Sequence, residues 1–316
     1  MKTRPTDSGS LAEPEMVISS PVRIKGADMG RCSSGCCSST VASPTRVLEA
    51  CALGCFIRHG PSYRAVHAGV VTRGLPGVAG RITPEQVRAA VRPLVIHSPR
   101  TRVVWVENTH NASGGRVWPL AELDALRELC DELDLRLHLD GARLLNAAVA
   151  SGEAAATIGS RFDTVTLCLS KGLGCPLGAL LAGRAETVAR GRRLKHLFGG
   201  AMRQAGIVAA AGTYALEHHV ERLADDHRRA RRLAVGLADA GLAVDPDRVE
   251  TNFVQVDVAP LGSAEAIALL AEHGVGLSGT IHPGVLRAVT HLDVDDDDIE
   301  RAVELVPRAL AARVEA

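Results

Sequence analysis

The sequence predicts an α/β fold: a mainly parallel sheet with helices on both faces, and a smaller α/β domain in the C-terminal part. Short apolar runs of the kind that form buried strands alternate with stretches in which leucines recur at helical spacing. This alternation is typical of βαβ units, whose parallel strands lie between layers of helices. A chain of 316 residues is long enough for one large and one small domain.

The individual elements can be placed because the periodicity becomes regular from about Val70 onward. Each predicted strand is a run of aliphatic residues, and each predicted helix has apolar residues three or four positions apart. In chain order they are a strand at 101–106, a helix at 119–133, a strand at 135–139 followed by a short helix, strands at 164–168 and 178–182, helices at 203–218 and 220–241, a strand at 253–258, a helix at 263–273, a strand at 286–290 and a helix at 295–313.

We expect three segments along the chain. Residues 1–65 form an atypical N-terminal segment, rich in Ser, Pro, Gly and Cys and with little periodicity. Residues 66–230 form the large domain, and residues 231–316 form the small domain, where strand and helix patterns alternate again.

The charge balance argues against a nucleic-acid or membrane partner. The chain has 36 Lys and Arg residues against 36 Asp and Glu residues, so it has no net charge to attract phosphate backbones or anionic lipids. No apolar run approaches the ~18 residues of a membrane span, and the N-terminal stretch has no apolar signal core. We therefore expect a cytoplasmic protein.

The cysteines do not predict a metal site. Five of the eight cysteines lie between Cys32 and Cys55, but they form no CxxC pair and have no histidine at zinc-finger spacing. We expect free thiols in a reducing compartment and no bound metal.

The residues most informative about function directly follow the predicted strands. In open α/β sheets, ligands bind outside the carboxyl ends of the strands. The segments at these positions are Glu107–Asn111, Asp140–Arg143 and Ser170–Gly174. They would place a carboxylate, a guanidinium, an imidazole and an amine on one rim of the sheet.

Lys171 is the first candidate for covalent chemistry. Only four of the 36 basic residues are lysines, and Lys171 closely follows an apolar strand, with Gly172, Gly174 and Pro176 after it. This composition predicts a tight, poorly solvated turn, in which an amine is suited to Schiff-base formation. The alternative is an ordinary surface lysine in a glycine-containing turn.

Asp140 supplies the partner that such a lysine needs in pyridoxal phosphate chemistry. The lysine binds the aldehyde of the cofactor, and an ionised aspartate keeps the pyridine nitrogen protonated so that the ring can accept electrons. Arg143, three residues further on, could reach the ring hydroxyl or a substrate carboxylate. The alternatives are that Asp140 caps the next helix and that Arg143 is a solvated helix charge.

Five segments containing these residues closely resemble the low-specificity L-threonine aldolases in composition, order and approximate spacing. They are Glu107–Asn111, His138–Arg143, Leu169–Gly174, Gly199–Gln204 and Arg287–Val294. The likeness covers roughly residues 70–316. It implies a pyridoxal-phosphate enzyme with the aspartate aminotransferase fold (fold type I), which forms homodimers or dimer-built homotetramers with active sites at the subunit interface.

The resemblance implies a role for each matching residue. Lys171 matches the Schiff-base lysine, and Asp140 matches the partner of the pyridinium nitrogen. Arg143 and Arg287 match the arginines that hold the substrate carboxylate, for which a planar bidentate guanidinium is suited. Arg203 matches a basic residue near the cofactor phosphate of the neighbouring subunit.

The implied reaction is the retro-aldol cleavage of L-threonine or L-allo-threonine, β-hydroxy amino acids, into glycine and acetaldehyde. A base must take the proton of the β-hydroxyl group before the Cα–Cβ bond breaks. His97 matches a histidine of the substrate pocket and is one candidate for this base; a bound water is the other. For His110, a structural role behind the strand is as well supported as a direct one.

The first 65 residues depart from the family pattern. The nearest match to its phosphate-binding turn is the segment around Ser34 and Gly35, and the nearest match to the histidine that lies on the pyridine ring is His59. One alternative is therefore a homologue with a defective phosphate cup and impaired activity. Another is a β-eliminating lyase on the same fold, which is less favoured because neither Tyr63 nor Tyr214 is placed to protonate a leaving group.

Overall fold

A computed structural model of the chain describes residues 17–19 and 68–311. Ser34, Gly35 and His59, the candidates for the cofactor phosphate and the pyridine ring, lie outside these described residues. The described part contains one five-stranded sheet and one three-stranded sheet, each with its own helices.

The large sheet has the strand order β1-β5-β4-β3-β2. Strands β2, β3 and β4 run parallel, and β5 pairs antiparallel with both β4 and β1. The strands are β1 (Val17–Ser19), β2 (Val103–Glu107), β3 (Arg136–Asp140), β4 (Thr164–Cys168) and β5 (Ala179–Gly183). The carboxyl ends of the three parallel strands therefore meet at one edge of the sheet.

The turn from β4 to β5 is responsible for the antiparallel pairing at this side of the sheet. Between β2 and β3, and between β3 and β4, helices carry the chain back to the starting edge, as parallel pairing requires. Residues 169–178 contain no helix, so the chain reverses directly and β5 runs back along β4.

Seven helices of the described residues precede the small sheet in the chain. The sequence Thr83-Pro84-Glu85-Gln86 begins the first of them with a capping box and a proline at the first helical turn. They are α1 (Pro84–Ala90), α2 (Leu120–Glu132), α3 (Leu144–Ser151), α4 (Ala155–Gly159), α5 (Ala185–Leu197), α6 (Gly206–His218) and α7 (Leu223–Asp239).

The small sheet has the order β6-β8-β7, and all its pairs are antiparallel. Its strands are β6 (Phe253–Asp257), β7 (Ser278–Gly279) and β8 (Val285–Val289), and its helices are α8 (Ser263–Glu272) and α9 (Asp296–Ala311). Alternate residues of β6, Val254 and Val256, are fully buried in a core that also contains Leu237 of α7 and Ile299 of α9.

The large sheet has a separate core. Leu123 and Leu126 of α2 and Leu137 and Leu139 of β3 are fully buried in one apolar cluster, together with Trp118. These residues pack α2 closely against β3, and this packing holds β3 in place.

The predicted fold class is confirmed, and the predicted strands and long helices lie within a few residues of the observed ones. The short elements β1, β7, α1 and α4 were not predicted, and neither was the longer helix α5. Only Val188, Gly191 and Leu194 of its residues are buried, and so narrow an apolar stripe with a central glycine gives little helical signal.

The boundaries at residues 65 and 230 stay a prediction. Within the described residues, no helix is long and apolar enough to cross a membrane.

Candidate active site

The carboxyl ends of β2 and β3 place two acidic residues side by side. Glu107 and Asp140 are the last residues of their strands and are paired across the parallel ladder. Asp140 pairs in turn with Thr166 of β4, two residues before that strand ends. The predicted rim is therefore present, with Lys171 three residues beyond the end of β4.

Asp140 is held by the turn that follows it. Its Oδ1 atom accepts a hydrogen bond from the backbone N–H of Ala142 at 3.2 Å, while the N-cap of α3 is Arg143. Asp140 therefore does not cap the helix. Gly141 between them is required, because an added Cβ atom would lie 2.6 Å from the carbonyl oxygen of Thr166.

Lys171 lies in a closed turn between β4 and β5. The N–H of Gly174 donates to the carbonyl oxygen of Lys171 at 2.8 Å, and Gly174 has a φ of 72°, a conformation that glycine adopts without strain. The predicted tight turn is thus present. The Lys171 side chain is exposed, contrary to the expected poor solvation, because Leu173 and Cys175 take the buried positions of the turn.

Arg143 approaches the rim from the start of α3. Its Nη1 atom lies 3.6 Å from Oε1 of Glu107, and its side chain is 12% exposed. Its guanidinium carbon lies 4.7 Å from the ring centroid of Phe253. The pKa of Arg143 is lowered from its ordinary value, chiefly because the side chain is buried. The nearby carboxylates of Glu107 and Asp140 raise this pKa, whereas the neighbouring cation Arg287 lowers it. The guanidinium group of Arg143 still carries its charge at neutral pH.

Arg287 reaches the same place from β8 of the small sheet. Its guanidinium carbon lies 4.8 Å from the Phe253 ring, and Nη1 donates to Oδ1 of Asn111. The backbone N–H of Asn111 donates in turn to Oε1 of Glu107 at 3.2 Å. The two arginines therefore share one aromatic ring, and both contact residues 107–115 that end and follow β2, which we call the rim segment.

His110 lies in the same segment, close to Glu107. Its Nε2 atom is 4.0 Å from Oε2 of Glu107, and its Nδ1 atom forms a 2.9 Å hydrogen bond with the hydroxyl group of Ser113. Burial lowers the pKa of His110. An added Cβ at Gly80 would lie 2.3 Å from the His110 ring. These contacts support the structural alternative for His110.

A polar network lies behind the Lys171 turn. Nδ2 of Asn146 on α3 is 3.1 Å from Nε2 of His227 on α7 and 3.5 Å from Oδ1 of Asn252 before β6. An added Cβ at Gly172 would lie 3.4 Å from Oδ1 of Asn146, so the network touches the turn directly. Burial lowers the pKa of His227 to about 4. The neutral ring can accept the amide hydrogen of Asn146.

Comparison with known proteins identifies the family. The sequence profile of the family described as beta-eliminating lyase matches residues 46–260, more than half of the chain. The chain belongs to the beta-eliminating lyase family. It is 38% identical over 250 residues to a low-specificity L-threonine aldolase of Escherichia coli strain K12, a match that covers 75% of this chain and 72% of that protein. The family resemblance seen in the sequence is thereby confirmed.

Solved structures show the same fold. A threonine aldolase from Leishmania major superposes with a TM-score of 0.66 at 19% identity, over 85% of this chain and 83% of that one. A double mutant of aspartate aminotransferase from Thermus thermophilus superposes with a TM-score of 0.60 at 19% identity, over 85% and 75% of the two chains. This beta-eliminating lyase family member thus has the aminotransferase fold that the sequence implied.

Two predicted site residues of this family member are on the surface of the single chain. His97 follows three exposed apolar residues, Leu94, Val95 and Ile96, in the segment between α1 and β2. Arg203 is exposed in the segment between α5 and α6. The rim brings together Asp140, Arg143 and Arg287, but among the described residues no contact joins His97 or Arg203 to them.

Three residues that contact Arg143 or Arg287 had no predicted role. Glu107 and Asn111 belong to the rim segment, and their position after a strand was the available signal. Phe253 had none, because a phenylalanine at the start of a strand is typical of an ordinary core residue. In the described residues, no group of three His, Cys, Asp or Glu side chains could hold a metal ion.

Proposed function

We propose that the protein binds pyridoxal 5'-phosphate and cleaves L-threonine or L-allo-threonine into glycine and acetaldehyde. The observation that carries this proposal is the rim itself: a carboxylate at the end of one strand, a lysine in the turn after the next, and two arginines gathered at one phenylalanine ring. The similarity to low-specificity L-threonine aldolases supports the same reaction.

The donor set fits the cofactor that this family uses. When bound, pyridoxal phosphate supplies an electron sink for the electron pair left at Cα when the Cα–Cβ bond breaks. Lys171 would hold its aldehyde carbon, and the carboxylate of Asp140 would hold the proton on its pyridine nitrogen. Ser34, Gly35 and His59 are proposed for the phosphate and the ring on the sequence alone.

Asp140 is suited to its role because its position is fixed and its charge is favoured. Strand pairing on both sides holds its backbone, and the N–H of Ala142 binds one carboxylate oxygen. A cationic Arg143 nearby favours the ionised carboxylate. An ionised acid is what keeps a pyridine nitrogen protonated.

Arg143 and Arg287 would bind the α-carboxylate of the substrate. Both guanidinium groups are partly shielded from water, which strengthens a charge-assisted hydrogen bond to a carboxylate. Arg143 lies in the connection that follows β3 of the large sheet, and Arg287 lies in β8 of the small sheet, so a bound carboxylate would join the two parts.

His97 is proposed as the acceptor of the β-hydroxyl proton, and Arg203 as a contact to the cofactor phosphate of a neighbouring subunit. Both side chains are exposed in the single chain, which is consistent with sites completed by a second copy. Leu197, Ile207 and Tyr214, large apolar or aromatic residues around the Arg203 segment, are exposed as well. We therefore propose a homodimer or homotetramer.

A cytoplasmic location is proposed from the thiols. Among the described residues, Cys130, Cys168 and Cys175 are buried free thiols that form no disulfide. Burial raises the pKa of Cys130 to about 11, which keeps that thiol protonated and unreactive. Alkylation of the freshly isolated, unfolded protein should modify all eight cysteines; native disulfides would contradict a reducing compartment.

The absorption spectrum of the purified protein tests the cofactor assignment. Wild-type protein should show the visible absorbance of bound pyridoxal phosphate, and Lys171→Ala should lose it. Lys195→Ala changes the other lysine of residues 68–311 and should keep it. A colourless wild-type protein that takes up no added cofactor would overturn the proposal and favour the impaired homologue.

The family description names β-elimination, so this reaction is the second candidate. Elimination requires an acid that protonates the leaving group. Tyr214 is exposed on α6, and its ring contacts those of His218 and His219. Release of 2-oxobutyrate from threonine instead of acetaldehyde would favour elimination over aldol cleavage.

A further inference from the structure

One aromatic ring contacts both arginines of the candidate site. Phe253 is the first residue of β6 and is 2% exposed. Arg143 and Arg287 place their guanidinium carbons 4.7 Å and 4.8 Å from its ring centroid. Both distances lie within the ~6 Å over which a cation is attracted to an aromatic face.

The alternation of β6 puts this ring toward the large sheet. Val254 and Val256 point into the core of the small sheet, so Phe253 and Gln255 point the other way. Nε2 of Gln255 donates to the carbonyl oxygen of Ala112 at 3.2 Å, which places this face of β6 on the rim segment that follows β2.

Two glycines make this close approach possible. An added Cβ at Gly114 would lie 2.9 Å from Oε1 of Gln255, and one at Gly115 would lie 3.3 Å from Cδ2 of Phe253. Both glycines also have positive φ values, 80° and 77°. The rim segment is thus shaped to receive the Phe253 ring beside the arginines.

The two arginines lie close together although both are positively charged. Their charges repel each other, and the proximity of Arg287 contributes to the lowered pKa of Arg143. Glu107 offsets the charge of Arg143, and Asn111 accepts from Arg287. Phe253 contacts both.

We propose that Phe253 is a positioning residue that holds Arg143 and Arg287 at the spacing with which they bind the substrate carboxylate. The inference rests on the proposed function, because the ligand is the α-carboxylate of an amino acid. In this role Phe253 acts through the two guanidinium groups that it contacts.

The variants separate the aromatic face from apolar packing. Phe253→Leu keeps an apolar side chain and removes the ring, and we expect it to weaken glycine binding to the holoenzyme by roughly 10-fold. Phe253→Tyr keeps the ring and should bind glycine within about 3-fold of wild type. Val256→Ala, from the opposite face of the same strand, serves as a packing control.

The measurement is the dissociation constant of glycine and of ethanolamine, followed by the change in cofactor absorbance on titration. Ethanolamine carries the amine without the carboxylate, so Phe253→Leu should leave its binding unchanged, and Val256→Ala should leave both ligands unchanged. If Phe253→Leu does not fold, Phe253→Met replaces it, with the same expectation.

The contrary results are distinct from failure of the proposed function. Unchanged glycine binding in Phe253→Leu, an equal loss for glycine and ethanolamine, or a loss in Phe253→Tyr as large as in Phe253→Leu would overturn the positioning role. In each of these cases wild-type protein still responds to glycine. A wild-type holoenzyme with no response to glycine would instead overturn the proposed function.

Discussion

At the scale of single residues, the candidate site depends on charges that are partly buried and mutually dependent. Glu107 lies 3.6 Å from Arg143 and accepts the N–H of Asn111, which itself contacts Arg287. A buried charge is tolerated when it is paired. The carboxylate of Glu107 therefore makes it possible to hold two cations beside one phenylalanine in the substrate-free protein.

The first prediction concerns the carboxylate clamp. Arg143→Lys and Arg287→Lys should each raise the KM for L-threonine by roughly 10- to 100-fold, because a lysine cannot replace the bidentate hydrogen bonds of a guanidinium group. The value of kcat should change less than KM. Steady-state kinetics with Arg301→Lys, an exposed arginine of α9, as the control would check this. Unchanged KM values would remove the arginines from the clamp.

The second prediction concerns Asp140. Asp140→Asn removes the charge that stabilises a protonated pyridine nitrogen, so kcat should fall by at least about 10-fold while the protein keeps its visible cofactor absorbance. Turnover and spectra of the same preparation give both quantities. A variant with wild-type kcat would show that Asp140 does not face the ring nitrogen.

The strand-end residues of this site could be predicted from the sequence, and Phe253 could not. Asp140 and Lys171 follow apolar runs directly, so a local pattern places them at the rim. The role of Phe253 depends on contact between two sheets whose strands are far apart in the chain, with Phe253 more than 100 residues from Asn111. Local periodicity carries no information about such a contact. His97 and Arg203 stay predictions for the same reason.

At the scale of elements, α3, α7 and β6 meet in the polar network behind the Lys171 turn. Asn146, His227 and Asn252 each come from a different part of the chain. Asn252 also donates to the carbonyl oxygen of Thr290 at 2.9 Å, which continues the network to the end of β8. The turn that carries Lys171 is therefore supported by elements of both sheets.

The third prediction is a loss of stability in acid that depends on His227. Burial lowers its pKa to about 4 in the folded protein, below the value of 6.5 for an unperturbed histidine. The unfolded chain therefore binds the proton first, so this contribution to stability is complete above pH 6.5 and is lost as the pH falls toward 4. Its upper bound is roughly 3 kcal/mol.

Urea unfolding between pH 4 and pH 8 measures this effect. His227→Gln keeps an acceptor for Asn146 but cannot titrate, so its stability should depend less on pH in this range than that of wild type. His218→Gln, at an exposed site, should keep the wild-type pH dependence. Parallel curves for wild type and His227→Gln would show that His227 is not the group responsible.

The order of elements could be predicted more fully than their directions. The parallel strands β2, β3 and β4 follow from the helices between them. Leucine periodicity predicted α2, and a short helix was predicted after β3. The reversal of β5 follows from a ten-residue connection without a helix, a property of the Lys171 turn and not of the strands themselves. The apolar composition of β4 and β5 does not reveal whether the two strands pair parallel or antiparallel, because a buried strand is apolar in either case.

At the scale of the whole molecule, several large apolar side chains are left exposed near proposed site residues. Ile96 is 94% exposed beside His97, and Ile207 is 84% exposed four residues after Arg203. Exposed apolar side chains of this size are typical of surfaces that bind another protein chain, and we expect these to be buried against a second copy. The proposed oligomer would then complete the site and cover this surface together.

The fourth prediction tests that assembly. Wild-type protein should be a dimer or tetramer by light scattering, and Ile207→Asp should shift it toward the monomer because a charge would be buried at the interface. Ala271→Asp, an exposed change on α8, should leave the mass unchanged. A monomeric wild-type protein with full activity would contradict an active site shared between subunits.

The most direct test of the central claim is product analysis with L-threonine as the only substrate. Purified holoenzyme should release acetaldehyde and glycine in equal amounts, at a rate that Lys171→Ala abolishes and Lys195→Ala retains. Release of 2-oxobutyrate and ammonia, or no product from a protein that has bound its cofactor, would contradict the assignment of this chain as a threonine-cleaving aldolase.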